Sequence, residues 1–291
     1  MVMHSYINGG ARVTLGEDGT KIREVFDLTC PPEFPEQMDL KITDWCDAGC
    51  FWCHEESTIR GKHADVDAMV KLLSDLPAGV EIAIGGGDPL SHPEFERLVR
   101  ALAAKGLVPN VTVNGRHFAR HKDQLKTLSD EKCIFGVGVS FFEDFPDWSY
   151  PHLVNHMITG VDDPECLLET EGRKVLVLGY KTWGRGNGYS RKFGTEVEDR
   201  MQRWYRLLPL LAVRHSLSFD NLAIAQLKPR RIFKNPAEYD MRYMGKEGEY
   251  SLYVDGVTGE YATSSYAPDR QGWTDIRSMF QDVRQRDILG F

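Results

Sequence analysis

The sequence predicts an α/β fold built on a parallel sheet. Short apolar runs of strand length recur between residues 38 and 219, and stretches with helical character separate most of them. Strands that read as continuous apolar runs, joined by helices, form parallel sheets covered on one or both faces. At 291 residues the chain can bury a sizeable core, as one large unit or two small ones. It shows no internal repeat and no low-complexity tract, so one α/β unit with small additions is expected.

In chain order, residues 1–35 read as an N-terminal β extension. Turn signals at Gly9-Gly10 and at Gly16-Glu-Asp-Gly19 separate short β-prone runs. Pro31, Pro32 and Pro35 then stiffen a linker. Strands are expected at 38–43, 80–84, 111–113, 134–140, 174–180 and 216–219. Helices are expected at 66–76, 92–106, 120–128 and 196–213, with apolar residues at i, i+3 and i+4 in the first. Pro93 suits the first turn of the second helix, and Gly106 its C-terminal stop. Residues 150–158 read as a short helix. The main unit thus spans 36–228, with about six strand–helix repeats. The tail, 229–291, predicts a hairpin around Asp255-Gly256 and a terminal helix over 273–288; it is a candidate lid over the active site.

Net charge is −8 and the pI lies near 5.6, which argues against bulk binding to nucleic acid or an anionic membrane. No apolar run approaches the length of a membrane span. The N-terminus lacks the basic and apolar regions of a signal peptide. Cys30, Cys133 and Cys166 are scattered and read as reduced, structural thiols, so a reducing, cytoplasmic location is expected.

The other three of the six cysteines crowd into Cys46-Asp-Ala-Gly-Cys50-Phe-Trp-Cys53-His54, directly after the first predicted strand. One inorganic centre that takes all three as thiolates explains the crowding. Rival readings exist. Cys50 to His54 matches the c-type haem attachment pattern, but that needs an exported chain and leaves Cys46 over. A zinc site would use adjacent Cys53 and His54, which chelate one tetrahedral ion poorly. Plain structural cysteines are a third reading. Three thiolates can hold three irons of a cubane cluster; with no fourth cysteine nearby, the fourth iron stays open.

Cys46-x3-Cys50-x-Trp52-Cys53 resembles the signature of the radical S-adenosylmethionine (radical SAM) superfamily. Gly85-Gly86-Gly87-Asp88-Pro89 is similar to that family's Gly-Gly-Glu-Pro stretch, with Asp88 in place of Glu. Thr112-Val-Asn114-Gly115 and Val137-Gly-Val-Ser140 are similar to its third and fourth strand ends, and Gly179-Tyr180 to its adenine-side position. The resemblance covers residues 38–225. It implies a partial (β/α)6 barrel and an enzyme of single-cluster type: no cysteine follows Cys166, so an auxiliary-cluster domain is excluded. It further implies a [4Fe–4S] cluster on Cys46, Cys50 and Cys53, and SAM held beside it near Trp52, Gly85, Gly86, Gly87, Asp88, Asn114, Ser140 and Gly179. An external electron donor of flavodoxin or ferredoxin type would reduce the cluster, and the 5′-deoxyadenosyl radical released from SAM would abstract hydrogen from substrate. Such an enzyme is oxygen-sensitive. The glycine run would let the backbone approach the methionine part of SAM, while Asn114 and Ser140 reach ribose hydroxyls.

Trp52 is expected to flank the adenine or the cluster and Phe51 to pack on the barrel. His54, Glu55 and Glu56 read as a cluster or substrate contact, or as a solvated loop. The segment Lys181-Thr-Trp-Gly-Arg185-Gly-Asn-Gly-Tyr189 reads as a basic, glycine-rich loop at the barrel mouth. There Lys181 and Arg185 would bind a small anionic or nucleotide-like substrate. Lys228-Pro-Arg230-Arg231 would extend the positive rim, and Asp220-Asn221 would point inward. A ribosomal peptide substrate is the alternative within the same chemistry. A non-catalytic Fe–S sensing or binding protein is the alternative of another class.

Overall fold

The computed structural model of the chain describes residues 1–141 and 143–289. It opens with an antiparallel sheet of β1 (Val2–Asn8), β2 (Ala11–Gly16) and β3 (Lys21–Val25). The main chain then runs β4 (Gln37–Lys41), α1 (Val66–Leu72), β5 (Glu81–Gly85), α2 (Phe95–Ala104), β6 (Val108–Asn114), α3 (Gly115–Asp130) and β7 (Gly136–Ser140). It continues through β8 (Leu153–Ile158), β9 (Lys174–Leu178), α4 (Arg185–Lys192), α5 (Gly194–Arg214), β10 (Ser216–Phe219), α6 (Asn221–Leu227) and α7 (Pro236–Arg242). The tail is β11 (Ser251–Asp255), β12 (Glu260–Ala262), β13 (Gln271–Gly272) and α8 (Ile276–Leu289).

Strands β4 to β10 pair in sequence order and all in parallel. The sheet ends at β10 on one side and β13 on the other, so it is an open, partial barrel. Along β4, Met38 and Leu40 are wholly buried in the outer core, whereas Asp39 and Lys41 belong to the opposite, lumenal face. The pleat's period of two sorts them so. The outer core gathers Val66 and Met69 of α1, Leu98 and Leu102 of α2, Leu125 of α3 and Phe280 of α8. A second cluster sits under Trp204 and Leu208 of α5. Helices therefore shield the outside and leave a polar lumen.

Residues 150–158 correct the sequence reading. They hold the strand β8, not a helix. Asn155 and His156 break the apolar pattern, but each is accommodated inside the sheet. Asn155 Nδ2 donates to Lys174 O at 3.0 Å, and the His156 ring lies against Gly138, where a Cβ would stand 2.3 Å from it. The sheet thus has seven consecutive parallel strands. Gly179 and Lys181 follow the sixth, not the fifth. The β7–β8 connection carries no helix among the described residues.

The tail is also tied in. β11 pairs in parallel with β4, Leu252 opposite Met38, and folds back through the expected hairpin onto β12. Residues 251–262 are therefore sheet rather than lid. At the opposite end, Arg23 of β3 makes a two-pronged ion pair with Glu36 (2.6 and 3.1 Å) and covers the Tyr250 ring. Lys21 pairs with Glu81. The N-terminal sheet so lies across the starts of β4 and β5. No described helix is long and apolar enough to cross a membrane.

Asp162, just past β8, accepts a hydrogen bond from Ile158 N at 2.6 Å. Burial pushes its carboxyl up from 3.8 to about 7, against that bond. The folded state then holds the extra proton between those values, so this contribution to stability is complete at low pH and is lost as pH rises through about 7. Asp162→Asn should flatten that loss. Melting temperatures at pH 5 and pH 8 should show the variant gaining at least about 3 °C over wild type at pH 8 only; parallel curves would refute the assignment.

Candidate functional site

The cysteine loop leaves the C-terminal end of β4. It is held before and behind the cysteines: Thr43 bridges to His63 and Trp45 to Thr58, and Cys46 N donates to Thr58 O at 3.0 Å. All three cysteines are half-buried and free. Burial, with the neighbouring Cys53 and Asp88 charges, pushes the Cys46 thiol up to about 11. Burial and Cys53 also raise Cys50. Their sulfurs have only weak protein partners: Ala48 N at 3.4 Å from Cys46 Sγ and Asn114 Nδ2 at 3.8 Å from Cys50 Sγ. Crowded, under-bonded thiols whose ionisation is opposed by one another are the donor set that a cationic metal centre relieves.

Arg185 is placed differently from the sequence reading. It starts helix α4, so the segment 181–189 is only in part a loop. Its guanidinium donates to Cys50 O (3.0 Å) and doubly to Ser57 O (3.1 Å), and its backbone N to Cys53 O (3.1 Å). It clamps the cysteine loop, so its fork is not directed at a substrate. Within that loop the turn from Cys50 to Cys53 leaves Phe51 74% exposed, contrary to the packing expected for it. Trp52 turns inward, edge-on to Tyr189 with 5.8 Å between ring centroids.

A buried ion cluster anchors the loop's far side. Lys41 Nζ contacts Asp44 (2.6 Å), Glu55 (2.8 Å) and Asp255 (3.1 Å), and Arg270 pairs with Asp255 at 3.2 Å. Burial opposes the Lys41 charge, but Glu55 and its other acidic neighbours outweigh it and raise the pKa. Burial likewise opposes ionisation of Glu55, yet His54 and Lys41 bring it down to about 2. His54 is held by Ser265 Oγ (3.2 Å) and faces Lys181 Nζ at 3.3 Å; burial, then the Lys181 charge, lowers its pKa. The sequence reading missed Lys41, Asp255 and Arg270. The alternation in Met38-Asp-Leu-Lys-Ile-Thr43 was the available signal for Lys41.

The glycine turn passes close against the root of the cysteine loop. Gly87 N donates to Thr43 O and Asp88 N to Trp45 O, both at 2.7 Å. A Cβ on Gly86, whose φ is +124°, would stand 2.4 Å from Thr43 O, and one on Gly87 2.2 Å from Trp45 O. These two glycines serve the approach of the chain to itself. Gly85 is different, because a Cβ there meets nothing within 4 Å. It is bare backbone at the start of the turn that is bonded to the root of the cysteine loop. Asp88 is buried and caps the turn at Pro89–Ser91 through Leu90 N (3.2 Å); burial raises its pKa, with His117 opposing.

Asn114 and Ser140 are register partners at the ends of β6 and β7, as the sequence suggested. Asn114 also caps α3 through Arg116 N (3.0 Å). Gly179 lies against Leu222 of α6, 2.4 Å from a Cβ position, and donates to Asp220 Oδ1 at 2.9 Å. Its smallness is explained by helix packing. Arg230 pairs with Asp240 and Arg231 covers the Tyr205 ring, so that basic run serves the chain itself. Lys181 Nζ bonds Ser265 Oγ at 2.9 Å and borders a cavity of about 670 Å³. Asp39, Asp220 and Glu247 line the same cavity. Enclosure raises the Asp39 carboxyl while Lys181 opposes the rise; burial raises Glu247, opposed by the hydrogen bond from Tyr266.

Gly86→Ala should lower stability by about 1–3 kcal/mol through backbone strain, read as a fall in melting temperature. Gly85→Ala should leave the melting temperature unchanged and weaken SAM binding at least about tenfold. Equal behaviour of the two variants would refute the division between them.

Comparison with known proteins agrees with this geometry. The sequence model of the Radical SAM superfamily matches residues 40–170. Over 92 residues the chain is 32% identical to a probable GTP 3',8-cyclase of Methanococcus maripaludis; the match covers 30% of this chain and 31% of that protein, under a third of its length. Streptococcus suis SuiB bound to S-adenosylmethionine superposes with a TM-score of 0.57 at 14% identity, over 90% of this chain and 69% of SuiB. SuiB bound to its precursor peptide SuiA gives 0.56 at 13%, over 90% and 68%. At such identity the likeness speaks for the fold. The cofactors of the matched domain, a [4Fe–4S] cluster and SAM, suit the three thiols and the open face of Gly85. With its cysteine loop, its glycine turn and its ordered parallel strands, the chain carries over residues 40–170 a domain that matches the Radical SAM superfamily.

Proposed function

We propose that the chain is a radical SAM enzyme whose [4Fe–4S] cluster is held by Cys46, Cys50 and Cys53, and that its substrate occupies the cavity beside Lys181. The carrying observation is a loop of three free, mutually crowded thiols whose root is bonded to the glycine turn, with open backbone at Gly85 where that turn begins. When bound, the cofactor pair supplies a carbon radical able to take hydrogen from an unactivated position. The chain's own residues position and shelter. Arg185 and the Lys41 cluster fix the cysteine loop from two sides. Trp52, edge-on to Tyr189, screens the loop from water. Asn114 and Ser140 offer polar ends toward the lumen.

The cavity's charge bears on the substrate. The ammonium of Lys181 stands among Asp39, Asp220 and Glu247, whose charges act on one another there. Of the other cations that line the cavity, Lys21 and Arg23 are paired with Glu81 and Glu36, while Arg242 and Lys246 add positive charge to its wall. Beside Lys181, however, a phosphate would meet these three carboxylates, and Arg185 is engaged elsewhere. This weighs against the anionic or nucleotide-like substrate suggested by the sequence. It favours a substrate presenting an amine or hydroxyls, whether a small molecule or a side chain of a peptide. Phe233, Tyr239 and Tyr243 of the 229–250 segment wall the same cavity and give it an aromatic cover.

Anaerobic reconstitution followed by reduction and addition of SAM should yield bound cluster and 5′-deoxyadenosine, and Cys50→Ala should lose both. A full iron complement with no SAM cleavage under any reductant would leave a non-catalytic Fe–S protein instead. Among trial compounds, amine-bearing ones should stimulate 5′-deoxyadenosine formation and nucleotides should not. Stimulation by nucleotides alone would overturn the reading of the cavity.

A further inference from the structure

One buried side chain joins the two halves of the cofactor site, and neither the fold nor the proposed activity accounts for it. His117, in the first turn of α3, is wholly buried. Its Nε2 hydrogen-bonds Asp47 Oδ1 at 2.7 Å. Asp47 lies between Cys46 and Cys50, next to the first. The His117 Nδ1 lies 3.3 Å from Oδ1 of Asp88, the residue that closes the glycine turn. Arg120, one turn further along α3, grips Asp47 with both prongs at 2.8 and 2.9 Å.

We propose that His117 is a positioning residue that couples the cysteine loop to the glycine turn, so that cluster ligands and SAM cradle share one buried support. The chemistry of the contacts argues for this. Nε2 faces a carboxylate oxygen and must carry hydrogen there. Nδ1, buried with no hydrogen-bond partner, lies nearest to the Asp88 carboxylate. The contact with Asp88 is therefore one of close polar packing at 3.3 Å and not a formed hydrogen bond. The imidazole is thus bonded on the Asp47 side and held in register on the Asp88 side. An unpaired buried carboxylate costs far more than an exposed one, which gives the bridge a reason to persist. Asp47, His117 and Asp88 also bring their polar atoms within 4.8 Å of one another, as metal ligands do. The Arg120 fork on Asp47 already supplies the cation, so the arrangement is an ion-pair chain.

The loop and the turn meet on one side through backbone bonds from Gly87 and Asp88 to Thr43 and Trp45. The His117 bridge adds a second tie, reaching the part of the loop where the cysteines begin. With two ties, a shift of the cysteine loop must move the glycine turn with it. This inference rests on the proposed ligation by Cys46, Cys50 and Cys53.

The test uses the full chain, reconstituted anaerobically, and two readouts other than turnover. One is the rate of iron release to a chelator. The other is the SAM dissociation constant, from the change SAM makes in the EPR spectrum of the reduced cluster. His117→Phe should release iron at least about tenfold faster and bind SAM at least about tenfold more weakly. His117→Gln, which keeps one arm, should recover part of both. Asp47→Asn, altered at the solvent-facing end of the bridge, should show the same two losses in smaller measure. The double variant should be no worse than His117→Phe alone, since both break one connection. If His117→Phe does not fold, Asp47→Asn carries the test. Faster iron release in Asp47→Asn with unchanged SAM affinity, or losses that multiply in the double variant, would overturn the coupling. A wild-type chain that takes up no cluster would instead overturn the ligand assignment itself.

Discussion

The ammonium of Lys41, buried among Asp44, Glu55 and Asp255, is the constraint on which the site depends. A lone charge in that position would be untenable, and its three partners come from three different parts of the chain. Asp44 starts the cysteine loop, Glu55 follows its last cysteine, and Asp255 ends the strand β11 that the tail adds beside β4. One residue on β4 therefore requires that the loop return to its origin and that the tail join the sheet. Removing Lys41 would leave carboxylates facing one another in a confined space, so the cluster is better regarded as a fastener than as a store of net stability.

The same region shows how backbone proximity is arranged. A loop proposed to carry metal ligands binds best if it is shaped beforehand, since ordering it on binding would oppose that binding. In this loop the shape comes from carbonyl groups. Arg185 gathers those of Cys50 and Ser57, and the glycine turn takes those of Thr43 and Trp45. Gly86 and Gly87 have no room for a side chain because these partners press against them. Gly85, one residue earlier, points to open space. The glycine run so divides between holding the protein together and leaving room for what binds.

Much of this was legible in the sequence because it is local. The cysteine spacing, the Gly85–Pro89 turn and the strand ends at Asn114 and Ser140 all follow from short-range pattern. β8 was not legible, since Asn155 and His156 become acceptable in a strand only when Lys174 O and Gly138 lie beside them. Arg185 looked like a substrate anchor because a guanidinium in a glycine-rich stretch usually faces solvent. Only the folded chain brings it to Cys50 O, 135 residues away in sequence. Phe51 departs from its expected packing for a similar reason, as the loop's turn decides which ring faces in.

By itself, the sequence determined the α/β class, the three thiols in one short loop and the turn that accompanies them, because neighbouring residues carry these features. The tertiary structure decided which charges meet in the lumen. Asp39, Lys181, Asp220 and Glu247 are far apart along the chain, and the curvature of the sheet gathers them around one cavity. It also decided that His117 stands between Asp47 and Asp88. Electrostatic partnership falls off with distance in space and not with distance along the chain, so the order of residues could specify the cysteine loop and the glycine turn but not the charge of the chamber in the lumen.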